Sequence, residues 1–167
     1  MWTEALRGAG RALLRQPRAL AWVAPLAWAG LLWWLSSHRS LIDTERAQAL
    51  VYWGNLAHAP AFGILALLLL PLAPRAAGWV RLGARELATV FSLATLYAAV
   101  DELHQSRVPG RDASLFDVVT DTVGVACVLW IAVYLSRRDG SEGGLRRRLL
   151  AGLALCAGAA VLSTTGG

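Results

Sequence analysis

The residues that could do chemistry in this sequence are concentrated in one stretch and the turn of chain that follows it. Its polar members are Asp101, Glu102, His104, Gln105, Arg107, Arg111, Asp112, Asp117 and Asp121. Carboxylates and imidazoles transfer protons in general acid–base catalysis, and arginines bind phosphate or carboxylate through paired hydrogen bonds. We therefore take Asp101, Glu102 and His104 as candidate catalytic residues.

A second group is more typical of ligand binding than of catalysis, and it consists of His58, Gln105, Arg111, Asp117 and Asp121. In the whole region the acids outnumber the arginines five to two. Excess buried carboxylates must gain protons, bind a cation or reach water. A divalent cation could be held here, although no HExxH spacing specifies a metal. The alternative is a structural ion-pair network that sets the register of the helices.

The composition places these polar residues in a membrane protein. The chain has 167 residues, of which 56% are hydrophobic, and its sixteen basic residues are all arginine. Long apolar runs of this kind exceed what a soluble domain of this length needs. In a membrane protein, an excess of basic over acidic residues is typical of loops that face anionic lipid, so we expect membrane lipids and not nucleic acid as partners. The bias toward arginine over lysine suggests a bacterial protein, and its oligomeric state is left open.

Apolar length predicts an all-α polytopic transmembrane bundle. We expect four core spans at about 19–37, 51–73, 86–104 and 115–135, and a fifth C-terminal helix at about 149–163. Pro60 is expected to interrupt the second span. The chain then divides into a basic interfacial segment (1–18), the four-span domain (19–135), and an arginine-rich loop with the fifth span (136–167).

The distribution of arginine predicts the orientation of the bundle. Four arginines precede the first span, three follow the second and five follow the fourth, while the other two loops have two each. Because arginine-rich loops stay in the cytoplasm, we expect a multi-pass protein of the bacterial cytoplasmic membrane with its N-terminus inside. On this topology the polar ends of spans two, three and four all lie at the external surface.

Helical spacing also places the polar residues of each span on one face. In the fourth span, Asp117, Thr120, Asp121 and Gly124 fall at i, i+3, i+4 and i+7. A polar stripe of this kind faces other helices or a water-filled cavity and not lipid. The glycine in the stripe would let a neighbouring helix approach closely.

Two motifs resemble those of the VanZ-like family of small bacterial membrane proteins. The first is the stretch 55–62, in which His58 is followed by Phe62 where the family usually has tyrosine. The second combines the run 101–105 with Pro109-Gly110-Arg111, Ser114, Asp117, Asp121 and Gly124. The resemblance covers about residues 20–135, and it implies a membrane bundle and an association with resistance to the glycopeptide teicoplanin.

Three functions are compatible with these observations. The first is a cell-envelope protein that binds a lipid-linked precursor or a glycopeptide at an external acidic, histidine- and arginine-containing site. The second is a membrane enzyme that acts on a lipid or lipid-linked sugar, with a divalent cation as an aid. The third is a small proton-coupled transporter that uses the carboxylates as a relay.

Overall fold

Most of the described residues are helical in the computed structural model, which describes residues 2–15, 17–18, 20–38, 48–76, 79–109, 111, 113–137 and 139–166. Within these residues the helices are α1 (Trp2–Leu14), α2 (Val23–Ser36), α3 (Gln48–Leu69), α4 (Ala84–Gln105), α5 (Leu115–Ser136) and α6 (Glu142–Gly166). Short 3₁₀ turns, Leu20–Trp22 and Leu70–Leu72, precede α2 and follow α3. Gly110 and Asp112, two members of the predicted polar region, lie outside the described residues.

The predicted all-α bundle is confirmed. Three helical segments of the described chain are long and apolar enough to cross a membrane: Val51–Leu72, Leu115–Ser136 and Glu142–Thr165. The first predicted span corresponds to the shorter apolar segment Leu20–Ser36. α4 is as long as α3 and α5, at 22 residues, but it carries charged residues near both of its ends and is therefore less apolar.

Two details of the predicted helices are wrong. Pro60 does not interrupt the second span, because α3 runs without a break from Gln48 to Leu69. A membrane bundle tolerates an internal proline where packing holds the helix on both sides, and the flanking residues Ala59 and Phe62 are both buried. The last helix begins at Glu142 and not near 149. Its first turns are polar, so hydropathy gave no sign that the helix starts there.

The loop between α3 and α4 contains a small structure that the sequence pattern did not predict. Strand β1 (Arg75–Ala76) pairs antiparallel with β2 (Trp79–Val80). Strands of two residues are too short to show the alternation by which a strand is recognised. Val80 packs with Leu14 at the end of α1, so the hairpin and α1 meet at the arginine-rich end of the bundle.

α1 lies against the loop that joins α5 to α6. The backbone N–H and hydroxyl of Thr3 both donate to Oε1 of Glu142, at 2.9 and 2.5 Å. Arg7 donates through Nε to the carbonyl of Leu135 at 3.1 Å and through Nη2 to the carbonyl of Arg137 at 2.5 Å. The arginine therefore satisfies carbonyls at the C-terminal end of α5, where a cation is also favoured by the helix dipole.

Among the described helices, α3 and α5 make the most extensive contact, and α4 and α6 pack against them. The core between them includes Phe62, Ala66, Ala94, Val125 and Leu129. At Gly124 the two helices approach so closely that an added Cβ would lie 2.7 Å from Cα of Ala59 and closer still to its carbonyl oxygen. This contact agrees with the close approach predicted for the glycine, and it sets the position of the polar residues next to it.

Candidate functional site

The polar residues of α4 and α5 are buried at the end of the bundle opposite to the arginine-rich loops. Asp101 is 3% exposed, Glu102 5%, Gln105 3%, Asp117 6% and Asp121 1%. We call these five residues, together with His58, the polar cluster. Buried polar groups are costly unless they are hydrogen-bonded, so the partner of each oxygen decides what the cluster can do.

Asp101 is held by α2 and by its own helix. The hydroxyl of Ser36, the last residue of α2, donates to Oδ2 of Asp101 at 2.7 Å. The side-chain amide of Gln105 donates to the same oxygen at 3.0 Å. Because Asp101 and Gln105 are four residues apart on α4, they share the face that contacts α2.

His104 lies beside this pair, at the rim of the cluster. Its ring stacks on Trp33 of α2, with the ring centroids 3.9 Å apart. Its Nε2 is hydrogen-bonded to Oγ of Ser37 at 2.9 Å, while the Ser37 hydroxyl donates to the carbonyl of Trp33. The predicted catalytic trio is thus divided: Asp101 and Glu102 are buried, and His104 is half-buried against α2.

The contact between α3 and α5 brings a histidine to a buried acid. Nδ1 of His58 donates to Oδ1 of Asp121 at 3.2 Å. His58 precedes Ala59, and Asp121 lies one helical turn before Gly124, so the close glycine contact places the two side chains together. The ring of Phe62 lies nearly parallel to the imidazole, with the ring centroids 6.5 Å apart.

Glu102 connects the two parts of the cluster. Its Oε1 accepts a hydrogen bond from the backbone N–H of Ser114 at 2.6 Å, and Ser114 is the N-cap of α5. The side chains of Asp117, Asp121 and His58 lie within electrostatic range of the Glu102 carboxyl. Glu102 therefore ties the end of α4 to the start of α5 and faces the acids of the next helix.

α6 contributes two residues that the sequence analysis did not select. The hydroxyl of Ser163 donates to Oδ1 of Asp117, and the amide of Asn55 donates to Oγ1 of Thr164 at 3.2 Å. Ser36 and Ser37, at the end of α2, were also missed. The sequence did contain a signal, since all four are hydroxyl residues at the C-terminal ends of predicted spans. Ser36 and Ser37 end the span 19–37, Ser163 ends the span 149–163, and Thr164 follows it directly.

Two oxygens of the cluster have no hydrogen-bond partner among the residues that the structure describes. They are Oδ1 of Asp101 and Oε2 of Glu102, both fully buried. An unsatisfied buried acceptor costs about 1–3 kcal/mol, and more if it is charged. A group from outside the chain that supplied N–H or O–H donors to these two oxygens would recover that cost.

The two arginines of this region are placed differently from the acids. Arg111 donates through Nε to the carbonyl of His38 at 3.0 Å and through Nη2 to the carbonyl of Leu35 at 2.8 Å, so it caps the end of α2. Arg107 donates through Nη1 to the carbonyl of Leu103 in its own helix, at 3.4 Å. Among the described residues, neither arginine forms an ion pair with an acid of the polar cluster.

The divalent cation that the sequence allowed would need several metal-ligating side chains close together. In the described part of the chain, no group of three or more His, Cys, Asp or Glu side chains is arranged to hold a metal ion. The acids instead take their hydrogen bonds from hydroxyls, an amide, an imidazole and a backbone N–H. What the arrangement offers chemically is a set of buried acceptors beside one acid–imidazole pair.

Comparison with known families places the cluster in a recognised domain. The profile described as VanZ/LLP1 matches residues 14–136, a range that contains α2 to α5 and with them the entire polar cluster. α6, including Ser163 and Thr164, lies beyond the matched range. No curated protein and no solved structure matches the chain.

Proposed function

This chain belongs to the VanZ/LLP1 family, and we propose that it is a membrane protein that binds a component of the cell envelope at the polar cluster. The bound group would be a hydroxyl- or amine-bearing part of a glycopeptide such as teicoplanin, or of a lipid-linked envelope precursor. Both ligands carry N–H and O–H donors, which is the chemistry that unsatisfied carboxylate oxygens accept.

The observation that carries this proposal is the pair of buried, unpartnered oxygens on Asp101 and Glu102. Adjacent residues on one helix thus offer two acceptors at one end of the bundle. Each already uses its other oxygen to bind Ser36 or Ser114, so both carboxylates are held in fixed positions. An acceptor that is already held in place binds a donor with little further ordering cost.

The arginine distribution supports an external location for the site. Twelve of the sixteen arginines lie in three parts of the chain: α1 with the residues just after it, the connection from α3 into the first turn of α4, and the connection from α5 into the first turns of α6. The polar cluster lies at the opposite end. Under the positive-inside rule that end faces outward, toward envelope precursors and toward a glycopeptide added to the medium.

One contact favours catalysis as a second candidate. His58 is held by the carboxylate of Asp121 at 3.2 Å, and an imidazole oriented by a carboxylate is the usual arrangement of a general base. An enzyme built on this pair would act on a lipid or lipid-linked sugar at the same external surface. The two candidates differ in one respect: binding leaves the ligand unchanged, whereas catalysis yields a product.

The proposal is tested by teicoplanin susceptibility in a sensitive bacterial host. Wild-type protein is compared with Asp101→Asn and Glu102→Gln, at membrane levels matched by immunoblot. Glu4→Gln serves as the control, because Glu4 is exposed on α1, far from the polar cluster, and forms an ion pair with Arg7 of the same helix. We expect wild type and the control to raise the inhibitory concentration and both cluster variants to lose that protection. Equal protection by all four proteins would refute the role of the cluster.

A further inference from the structure

A groove lies at the arginine-rich end of the bundle, far from the polar cluster. It is formed where the turn before α2, the end of α3 and the start of α4 meet, and its volume is about 450 Å³. Its walls include Trp22, Leu69 and Leu72. A volume of this size is within the range of about 300–1,000 Å³ that ligand sites usually have.

One side of this groove is polar, and all of its polar side chains come from the first turns of α4. They are Arg85, Glu86 and Thr89. Arg85 is exposed, and in the described part of the chain neither Arg85 nor Glu86 forms an ion pair. The groove therefore combines an apolar channel with one positive and one negative group at its mouth.

The Glu86 carboxylate is positioned by the backbone at the start of α4. Its Oε2 lies over Gly83, the N-cap of the helix, where an added Cβ would be 2.6 Å from that oxygen. A carboxylate in the first turn is favoured by the helix dipole, so the negative charge is held at this place. Arg85 is the next residue toward the N-terminus and supplies the opposite charge.

A second groove provides a comparison. It lies between α4 and α5, has a volume of about 410 Å³, and is lined by apolar side chains that include Phe91, Leu129 and Trp130. An acyl chain could lie in either groove. Only the first has charged groups, so only the first can distinguish one lipid headgroup from another.

We propose that the groove at Arg85 and Glu86 binds one phospholipid whose headgroup has both a phosphate and a primary ammonium, as phosphatidylethanolamine does. The phosphate would contact the Arg85 guanidinium, the ammonium would contact the Glu86 carboxylate, and an acyl chain would lie along Leu69 and Leu72. The charges are complementary in both signs. A headgroup with a phosphate and no ammonium would satisfy the arginine but leave the carboxylate next to a second negative charge.

The test is native mass spectrometry of the purified full-length chain. The protein is reconstituted with equimolar phosphatidylethanolamine and phosphatidylglycerol of identical acyl chains, and the lipids retained after detergent exchange are counted. We expect the wild type to retain phosphatidylethanolamine in preference. Arg85→Gln should reduce this retention about tenfold, the equivalent of one charge-assisted hydrogen bond. Glu86→Gln should still retain lipid but lose the preference between the two headgroups.

Arg81→Gln is the matched control, because Arg81 is exposed in the connection just before α4 and is not among the residues that line the groove. It should retain lipid as the wild type does. Circular dichroism checks that each variant keeps its helices, which is expected since the substituted arginines are exposed. Equal retention of the two lipids by the wild type would overturn the proposal. So would equal losses in Arg85→Gln and Arg81→Gln.

Discussion

Replacing Gly124 with alanine would test whether the contact between α3 and α5 holds the polar cluster together. Gly124 is buried and faces the backbone of Ala59 on α3. The substitution adds a single methyl group and no charge. Any effect on the histidine–acid pair one turn away must therefore come from a change in the distance between the two helices.

The expected magnitude follows from the geometry. The new Cβ would lie 2.7 Å from Cα of Ala59, and ordinary contact begins at 3.4 Å. The carbonyl oxygen of Ala59 lies closer still, so the backbones must separate by more than about 0.7 Å. Backbone atoms cannot avoid the clash by changing rotamer, and overpacking of this kind costs about 1–3 kcal/mol. Alanine gains about 1 kcal/mol over glycine in helix propensity. The net result is a loss of up to about 2 kcal/mol.

Gly158→Ala provides the matched control, because nothing lies within 4 Å of a Cβ at that position on α6. It gains helix propensity without a clash and should be as stable as the wild type or more stable. Unfolding of both variants would be followed by circular dichroism in mixed detergent and sodium dodecyl sulfate. If Gly124→Ala proves as stable as Gly158→Ala, the close contact of α3 and α5 does not exist as described.

Three further substitutions test contacts at the same end of the bundle, each by detergent unfolding. Ser163→Ala removes a donor from a buried carboxylate and should cost about 1–3 kcal/mol, whereas Thr165→Ala, on the exposed face of α6, should cost little. Arg111→Ala leaves the carbonyls of Leu35 and His38, at and just after the end of α2, without this donor and should cost about 1 kcal/mol more than Arg107→Ala. His58→Ala leaves a buried acid without its partner and should cost about 3 kcal/mol. The Ser163 contact would be contradicted if Ser163→Ala were as stable as Thr165→Ala, and the Arg111 contacts if Arg111→Ala were as stable as Arg107→Ala. The His58 contact would be contradicted if His58→Ala kept the stability of the wild type.

Apolar length and helical spacing were sufficient to predict the central helices. The spans predicted at 51–73, 86–104 and 115–135 correspond to α3 with its 3₁₀ turn, α4 and α5. Lipid requires every backbone group to be bonded within a helix, so a long apolar run has few alternative structures. The same spacing placed Asp117 and Asp121 on one buried face of α5.

The features that were missed depend on tertiary packing, which a local pattern does not contain. The continuity of α3 through Pro60 depends on its buried neighbours, and the early start of α6 depends on polar residues with no hydropathy signal. The contact of Ser163 with Asp117 joins residues far apart in sequence. The role of Arg111 as a cap of α2 likewise requires knowledge of where α2 ends.

The sequence also could not show which neighbouring helix each polar residue of α4 would contact. Asp101, Glu102 and His104 are near neighbours along the chain, but on a helix they point in different directions. Asp101 faces α2, Glu102 faces α5, and His104 lies at the rim against Trp33. Their grouping as candidate catalytic residues remains a prediction, and the unpartnered oxygens make the first two the better candidates for binding.

The most direct test of the central claim is equilibrium binding of teicoplanin to the purified protein in detergent, measured for the wild type, Asp101→Asn and Glu102→Gln. Each variant replaces one acceptor oxygen by an amide nitrogen of similar size. If the polar cluster is the binding site, the wild type binds teicoplanin, each variant binds it at least about tenfold more weakly, and the glycopeptide is recovered chemically unchanged. Equal affinity in all three proteins would contradict the account. Recovery of a chemically modified glycopeptide would show that the protein is an enzyme and not only a binding protein.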